Sequence, residues 1–327
     1  MNLWKLSAGT ACVIGKKKTK ADVLPTTAYI MLGEKCKNNC QFCAQSRSSE
    51  SRVDLLSRVT WPSFTKEEAA VGIGESYGAG RIKRACLQVV DNNSSWDRTM
   101  SALDLLHRSS EVPICISSHL ETVEQAKELV ARGAQRVCIA LDAATPTLYE
   151  KVKDGLWSPR WNLLLACAKV LPGCITTHLI VGLGESEEEM VRRMAACIEQ
   201  GITVGLFAFT PVRGTPWAAH LPPSIGQYRR IQIAHSLLKS GYKQGVIEYQ
   251  GGTISKFNMP ERELLSIIGD GQAFQTSGCD DCNRPYYNER PGGLIYNYPR
   301  HLTTLEITKA IDECGIVKGE YDELATC

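Results

Sequence analysis

Residues 36–43 read CKNNCQFC and closely follow the apolar, β-branched run TTAYIML of residues 26–32. The segment places Cys36, Cys40 and Cys43 with three and then two residues between them. Thiolates are soft ligands that suit iron–sulfur centres, and the polar residues between them favour a turn that wraps around one centre. Three ligands leave one iron of a four-iron cube without a protein ligand. We therefore predict a [4Fe–4S] cluster whose open iron binds a small molecule.

The Cys-x3-Cys-x2-Cys spacing, with Phe42 directly before the third cysteine, resembles the signature of the radical SAM enzymes. In that family the open iron binds the amino and carboxylate groups of S-adenosylmethionine, and one electron cleaves the sulfonium to a 5′-deoxyadenosyl radical. The resemblance places Phe42 against the adenine, whereas an ordinary core aromatic is the alternative for that residue. A structural zinc site is the alternative for the cysteines, although such sites normally show two pairs of ligands.

Composition favours one main domain. The chain has 327 residues, of which 43% are hydrophobic, and its net charge is +2 with acids and bases interleaved. This length suits a single α/β barrel with extensions, and the charge argues against a nucleic-acid or anionic-membrane surface. The basic run of residues 16–20, KKKTK, is either a solvated loop or a docking patch for an acidic partner.

No apolar stretch is long enough to cross a bilayer, and the first residues lack a signal pattern, so we expect a cytoplasmic protein. Thiols stay reduced there, so the 14 cysteines must divide between metal ligation and packing. We assign packing to the cysteines inside predicted strands and helices. These are Cys115, Cys138, Cys167 and Cys197.

Short apolar runs alternate with amphipathic helices from residue 26 onward. The predicted strands, mostly without polar alternation, are 26–32, 85–90, 112–117, 136–141, 174–181 and 203–209. Helices begin at capping boxes at Thr65, Thr122 and Ser186. In the helix that Ser186 opens, residues 187–189, EEE, read as a solvated first turn.

Six strand–helix repeats with short connections imply an α/β fold, a (β/α)6-type partial or complete TIM-like barrel. We assign residues 1–25 to an N-terminal extension, 26–242 to the barrel and 243–327 to a C-terminal extension, with helices near 224–239 and 303–313. Chemistry belongs at the carboxyl ends of parallel strands. Besides the cysteines, Asp142, the VGLGE turn of residues 181–185 and the TPVRGTP loop of residues 210–216 follow strands.

Together with the AQS of residues 44–46, these loops resemble the biotin-synthase-like branch of the radical SAM enzymes over about residues 26–240. The resemblance implies that Asp142 binds the ribose of S-adenosylmethionine. It places Gly182, Gly184 and Glu185 along the adenosyl half. It also pairs Arg160 with the carboxylate, although an exposed arginine at a helix start is the alternative.

Biotin synthase itself holds a sacrificial [2Fe–2S] cluster on three barrel cysteines and an arginine. When the predicted strands are matched to those of biotin synthase, only Cys86 falls at a ligand position. Cys115 lies one residue away from the next ligand position. A one-residue slip on a strand turns a side chain to the opposite face. Residues 247–250, IEYQ, offer no arginine. We therefore expect a chemistry other than biotin synthesis.

The C-terminal extension carries a Cys-x2-Cys pair, Cys279 and Cys282, in a Gly/Asn/Pro-rich loop. We predict that the pair holds an auxiliary cluster, taken as a second [4Fe–4S], although a half-site that binds nothing is the alternative. Two cysteines complete no centre, so Cys12 is a candidate further ligand. Cys314 and Cys327 are also candidates.

The SAGTA of residues 7–11 and the SGC and NRPYYNE of residues 277–279 and 283–289 resemble one subunit of the split, two-protein lipoyl synthases. The resemblance implies a sulfurtransferase that inserts sulfur into an octanoyl chain on a lipoyl-carrier protein. It also implies a second radical SAM subunit and an electron donor such as ferredoxin or flavodoxin. The auxiliary cluster near Cys279 would supply the sulfur.

Three other functions stay open at this stage. A biotin-synthase-like enzyme would act on a free small molecule. A maturase of another metallocofactor would form deoxyadenosine without transferring sulfur. A non-catalytic cluster-binding subunit would hold iron and sulfide without cleaving S-adenosylmethionine.

Overall fold

A computed structural model describes residues 3–18, 20–289 and 292–317. The strands are β1 Leu3–Leu6, β2 Thr27–Leu32, β3 Leu55–Leu56, β4 Val59–Thr60, β5 Ser63–Thr65, β6 Arg84–Val89, β7 Ile114–Ser117, β8 Ala134–Cys138, β9 Ile175–Val181, β10 Thr203–Ala208, β11 Ile247–Gln250 and β12 Thr253–Phe257. The helices are α1 Ala8–Val13, α2 Lys66–Gly78, α3 Ser95–Ser109, α4 Val123–Ala131, α5 Pro146–Val152, α6 Trp157–Val170, α7 Glu187–Ile198, α8 Ile225–Lys239, α9 Glu261–Ile268 and α10 Thr304–Asp312.

Six parallel strands form a continuous run, from β10 at one edge to β2, in an eight-stranded sheet of order β10-β9-β8-β7-β6-β2-β1-β5. The prediction of a (β/α)6 fold is confirmed in its partial form. The first and last parallel strands, β2 and β10, lie at opposite ends of the run and do not pair with each other, so the barrel is not closed. The N-terminal extension joins this sheet, since β1 pairs antiparallel with both β2 and β5. The capping boxes at Thr65, Thr122 and Ser186 are all present.

The inner face of the strands is more polar than we predicted. In β6, Cys86 and Gln88 line an internal cavity, while Ala85 and Leu87 are fully buried in the main hydrophobic core. Alternation therefore exists in this strand, with apolar side chains packed under the helices and polar side chains facing inward. Every described cysteine is a free thiol. In the described part of the chain, no helix combines the length and apolar character needed to cross a membrane.

The C-terminal extension covers the free edge of β10. The amide of Leu206 donates to Ser277 Oγ at 2.8 Å, and its carbonyl accepts from Arg284 Nη2 at 3.3 Å. Further along, Asn288 Nδ2 donates to the carbonyl of Ala208 at 2.8 Å. Side chains of the extension thus satisfy backbone groups that a further strand would otherwise pair.

The same segment reaches β2, at the other end of the parallel arc. The backbone N–H of Thr26, just before β2, donates to Asn283 Oδ1 at 3.0 Å, and the N–H of Arg284 donates to the Tyr29 hydroxyl at 3.0 Å. Residues 277–288 therefore bridge β10 and β2. The extension fills the gap that the incomplete barrel leaves.

Two parts of the extension escaped the sequence-based prediction: the antiparallel hairpin β11–β12 and helix α9. Glu187 explains how the hairpin is held. This residue is only 4% exposed, it pairs with Arg230 (Nε to Oε2, 2.9 Å), and it accepts the backbone N–H of Ile254 at 2.9 Å. The prediction of a solvated first turn is thus wrong for Glu187, because a partner distant in sequence covers it.

Arg229 in α8 anchors the end of the chain. Its guanidinium is buried and donates to Glu313 Oε2 at 2.9 Å and to the carbonyls of Tyr296 and Ile295 at 2.7 and 2.6 Å. A buried cation is tolerated only when its donors are satisfied. Arg229 therefore holds α10 and the segment before it against the barrel.

We expect Arg229→Met to destabilise the protein by about 3–5 kcal/mol, because it leaves the largely buried Glu313 carboxylate without its arginine and the Ile295 carbonyl without its donor. Anaerobic urea unfolding measures the change. Arg192→Met is the matched control, since Arg192 makes an exposed i,i+4 pair with Glu188 and should change stability by no more than about 0.5 kcal/mol. Equal unfolding midpoints for the two variants would contradict the anchoring role.

Candidate functional site

The cysteine loop follows the carboxyl end of β2 and is held by its neighbours. The backbone N–H of Cys36 donates to the carbonyl of Gln45 at 2.7 Å, and the N–H of Cys43 donates to the carbonyl of Cys40 at 3.2 Å. Gln45 is buried, and its Nε2 donates to the carbonyls of Val53 and Leu55 at 3.1 and 2.6 Å. These bonds fold residues 36–45 back on themselves, as a loop around one centre requires.

The three thiols lie within electrostatic range of one another. Burial raises the pKa of Cys43 to about 12, and Cys40 and Cys36 add to this shift. Burial also raises the pKa of Cys40, which the Lys153 ammonium opposes. Without metal Cys40 and Cys43 are neutral, so iron must displace their protons on binding. Three soft donors fit a [4Fe–4S] cluster on Cys36, Cys40 and Cys43 that keeps one iron open.

The cysteine loop is less suited to a single metal ion than to a cluster. In the described ranges, no group of three His, Cys, Asp or Glu side chains is arranged to hold one metal ion. A structural zinc ion needs four ligands around one point, whereas a cubane binds each thiolate through a different iron. The donor set therefore fits the predicted cluster better than the zinc alternative.

Asp142 lies beyond the carboxyl end of β8 with a left-handed φ of 65°. Its N–H donates to the carbonyl of His178 and its own carbonyl accepts from Ile180, both at 2.8 Å, so β9 fixes this unusual backbone. The carboxylate pairs with Lys153. Non-glycine residues in this conformation cluster at functional sites. Asp142 lines the cavity, where its predicted contact with a ribose stays a prediction.

Lys153 is a site residue that the sequence did not reveal. Its ammonium is largely buried against Asp142. Burial acts to lower the pKa of Lys153, yet Asp142 and Cys40 raise it above the ordinary value. The cation therefore stays charged beside the cysteine loop, where it can neutralise a carboxylate or a cluster.

His178 in β9 was also missed, although a histidine inside the run ITTHLIV was a visible signal. It lines the cavity, and its ring meets that of Phe207 edge to face at 4.8 Å. Burial lowers the pKa of His178 to about 4, with Arg284 adding to the shift and Asp142 opposing it. The imidazole is therefore neutral at pH 7.

The predicted adenosyl-binding turn has an evident structural role. Glu185 is 7% exposed and accepts the backbone N–H groups of Gly182 and Leu183 at 2.7 and 3.0 Å. Gly182 has a φ of 98°, and a Cβ there would lie 2.7 Å from Pro223 Cδ. Gly184 also has a positive φ, of 118°. The contact of Gly182, Gly184 and Glu185 with a nucleoside stays a prediction.

Arg160 is buried in α6, so the alternative of an exposed arginine is wrong. Its Nη1 donates to the carbonyl of Leu120, and its Nη2 contacts His119 Nδ1, both at 2.7 Å. The sequence did not reveal this burial, because both partners lie in the loop that follows β7. Its Nε is buried without a hydrogen-bond partner among the described residues. Pairing of Arg160 with the carboxylate of S-adenosylmethionine stays a prediction.

One cavity joins the cysteine loop to the C-terminal extension. Phe42 and Cys43 line it from the loop, and Cys279 and Cys282 line it from the extension. Phe42 is half-buried and packs against the main core, as its alternative assignment proposed, while it also faces this cavity. The two cysteine groups that the sequence singled out thus border the same space.

The structure changes the set of cysteines around the Cys-x2-Cys pair. Cys86 of β6 lines the cavity, and Cys115 Sγ lies 3.5 Å from Cys279 Sγ. The displacement that we inferred for Cys115 is wrong, because Cys86 and Cys115 are register partners on adjacent parallel strands and face the same side. Cys12 lies in α1 and does not line this cavity. Cys314 is buried after α10, and Cys327 lies outside the described residues.

The carboxyl group of Glu185 gives a testable pH dependence. Burial raises its pKa to about 7 from 4.5, although backbone amides oppose the shift. The folded state thus holds more protons than the unfolded state between these values, so stability falls as pH rises from about 4.5 to about 7. Glu185→Gln should remove most of this pH dependence. The difference in unfolding free energy between the variant and the wild type should change by up to about 3 kcal/mol over this pH range.

Anaerobic urea unfolding at pH 5 to 8 measures this difference, and Glu248→Gln on the exposed strand β11 is the control. Parallel stability curves for Glu185→Gln and the wild type would contradict the assignment.

Comparison with known proteins agrees with this arrangement. Residues 30–197 match the Radical SAM superfamily. The chain is 23% identical over 264 residues to biotin synthase of Pelodictyon phaeoclathratiforme, covering 74% of this chain and 71% of that protein. It is 24% identical over 210 residues to lipoyl synthase of Chlorobium chlorochromatii, covering 61% and 67%.

Two solved structures share the fold. The FeFe-hydrogenase maturase HydG from Carboxydothermus hydrogenoformans superposes with a TM-score of 0.53 at 17% identity, covering 88% of this chain and 66% of that chain. Methylornithine synthase superposes with a TM-score of 0.51 at 18% identity, covering 65% and 62%. This chain thus spans just under two thirds of each. Because the family match extends over more than half of the sequence and includes the cysteine loop, the chain belongs to the radical SAM superfamily.

Proposed function

We propose that the chain inserts sulfur into an unactivated C–H bond of a protein-bound octanoyl chain, in the formation of a lipoyl cofactor. The single observation that carries the proposal is the shared cavity, which Cys43 borders from the radical-forming loop and Cys279 and Cys282 border from the extension. Sulfur insertion needs a radical source and a sulfur source close to one substrate. The similarity to biotin and lipoyl synthases, both at low identity, supports sulfur insertion as the class of reaction.

When bound, the cluster and S-adenosylmethionine supply a 5′-deoxyadenosyl radical that removes a hydrogen atom from carbon. The chain positions the reactants and excludes quenchers. Trp61, Phe209 and Val212 give the cavity an apolar wall. The charged pair of Asp142 and Lys153 offers polar anchors at its rim. An apolar wall is what an aliphatic chain and a reactive radical both require.

A neighbouring groove supports a substrate that stays attached to a carrier. Ser57 and Val212 line both the cavity and this groove. The groove is also lined by Leu24, Leu55 and Val59. An acyl chain can lie in such a passage while its carrier stays at the surface. A free small molecule needs no such passage.

The proposal includes three partners: an octanoylated lipoyl-carrier protein, a second radical SAM subunit and a low-potential electron donor such as ferredoxin or flavodoxin. We place the reaction in the cytoplasm, where free thiols persist. A biotin-synthase-like reaction on a free small molecule is the second candidate. It is favoured by Cys86 and Cys115, which lie on the barrel wall beside the cavity.

Incubation of the reconstituted protein with octanoylated carrier and, separately, with dethiobiotin distinguishes these candidates. Each reaction contains S-adenosylmethionine and dithionite, with and without the second subunit. We expect mass spectrometry to show sulfur added to the carrier-bound chain. Thiolated dethiobiotin alone would overturn the proposal. Deoxyadenosine without sulfur transfer to either would indicate a maturase, and intact S-adenosylmethionine would indicate a non-catalytic subunit.

Variants separate radical formation from sulfur transfer. We expect Cys40→Ala to reduce deoxyadenosine formation to background, because it removes a ligand of the radical-forming cluster. Cys279→Ala and Cys282→Ala should leave deoxyadenosine formation within about twofold of wild type and abolish the sulfur product. Cys167→Ala, a buried cysteine of α6, is the control and should keep both activities. If the variants of the extension still thiolate the carrier, its cysteines are not the sulfur site.

A further inference from the structure

Two barrel cysteines face the Cys-x2-Cys pair. Cys86 and Cys115 are register partners in β6 and β7, so their side chains share the inner face. Cys115 Sγ lies 3.5 Å from Cys279 Sγ, too far for a disulfide. Cys86 lines the same cavity as Cys279 and Cys282. Four thiols from three separate parts of the chain therefore lie at or beside one end of the cavity.

A buried arginine beside these thiols has no carboxylate as hydrogen-bond partner among the described residues. Arg84 is 4% exposed, and its guanidinium donates to the Asp280 carbonyl at 3.0 Å, to Cys115 Sγ at 3.2 Å and to the side-chain carbonyl of Gln135. These partners are a backbone carbonyl, a cysteine sulfur and an amide oxygen. Buried charges are normally paired, so the site calls for an anion.

Further cations surround the same position. Arg136 approaches Asp280, the residue after Cys279, at 3.6 Å. The Arg284 guanidinium lies 3.8 Å from the ring centre of Phe207 and donates to the carbonyl of Ser277 at 2.7 Å. A [4Fe–4S] centre with four thiolates is anionic. This ring of arginines supplies the countercharge that such a centre needs in a buried place.

The backbone around the pair has an unusual conformation. Asp281, Arg284 and Tyr286 have positive φ values of 60°, 35° and 58°, which non-glycine residues rarely adopt. Gly278 packs against Gly205 on β10, where an added Cβ would be in ordinary van der Waals contact with Gly278 Cα at 3.7 Å. The extension thus packs against the barrel wall beside Cys279. Clustered strain of this kind is typical of ligand sites.

We propose that Cys86 and Cys115 of the barrel join Cys279 and Cys282 of the extension as the four thiolate ligands of the auxiliary cluster, which thereby fastens the extension to the barrel. Each thiol loses its proton on binding iron. Four thiolates occupy all four irons, so this centre has no open position for S-adenosylmethionine, unlike the centre on the loop. The ligand set itself does not depend on the proposed function. Only the role of the cluster as sulfur donor rests on that function.

Iron and sulfide analysis of the full chain tests the ligand set. In a Cys36→Ala/Cys40→Ala/Cys43→Ala background, only the auxiliary cluster remains, and we expect about four irons and four sulfides per chain. Adding Cys86→Ala/Cys115→Ala should remove most of this iron, as should adding Cys279→Ala/Cys282→Ala. Adding Cys12→Ala/Cys167→Ala is the control and should keep it, because Cys12 lies in α1 and Cys167 is buried in α6. Full iron in the barrel variant, or no iron in the background, would overturn the proposal.

A second measurement needs no substitution at these cysteines. Wild-type protein is alkylated in moderate urea with and without prior removal of iron by a chelator, and mass spectrometry follows each cysteine. The bound cluster should protect Cys86 and Cys115 together with Cys279 and Cys282, while Cys167 reacts equally in both samples. Equal reaction of Cys86 and Cys115 in the two samples would refute the ligand set, even if the barrel variant fails to fold.

Limited chymotryptic digestion tests the fastening. Chelation should speed cleavage after Tyr287 in the extension, with little change after Tyr77 at the end of α2. Unchanged cleavage after Tyr287 would refute the fastening. None of these readouts depends on the substrate. If the ligand set is correct but the carrier gains no sulfur, only the proposed function is overturned. If a barrel variant keeps its full iron content and still thiolates the carrier, only the ligand set is overturned.

Discussion

Parallel pairing of six strands forces their carboxyl ends to one rim, and the geometry of the site follows from that constraint. The cysteine loop follows β2, Asp142 follows β8 and the glycine turn follows β9. These segments are far apart in sequence, yet each begins where a strand stops. The three thiols, the buried Lys153 and the strained backbone of Asp142 meet because the sheet brings its ends together.

An arc of six strands does not close on itself, and the C-terminal extension supplies what is missing. Polar side chains of residues 277–288 satisfy the free edge of β10 and reach across to β2. Buried charged side chains hold the remainder of the extension in place. Arg229 holds α10, and Glu187 holds the β11–β12 hairpin. The extension is therefore part of the cavity wall, which explains how a cysteine pair beyond residue 270 borders the same space as the cysteine loop.

The barrel interior is polar where a larger barrel would be packed with aliphatic side chains. Arg84, Cys86 and Gln88 alternate with apolar residues along β6, and His178 continues the polar lining on β9. Several arginines converge on the thiols at the end of the cavity that the extension covers. This charge pattern distinguishes the two ends: lysine and aspartate lie beside the open rim, and arginine lies beside the covered end.

The sequence by itself determined the six parallel strands to within three residues, the helix starts at three capping boxes, and the loop that carries Cys36, Cys40 and Cys43. These features depend on local periodicity and on short spacings, which a chain expresses before it folds. Only the tertiary structure decided the partners of Cys115, Glu187, Arg160 and Lys153. Each of these depends on a partner from another element of the fold, and strand register, which local patterns do not fix, decides which side chains share a face.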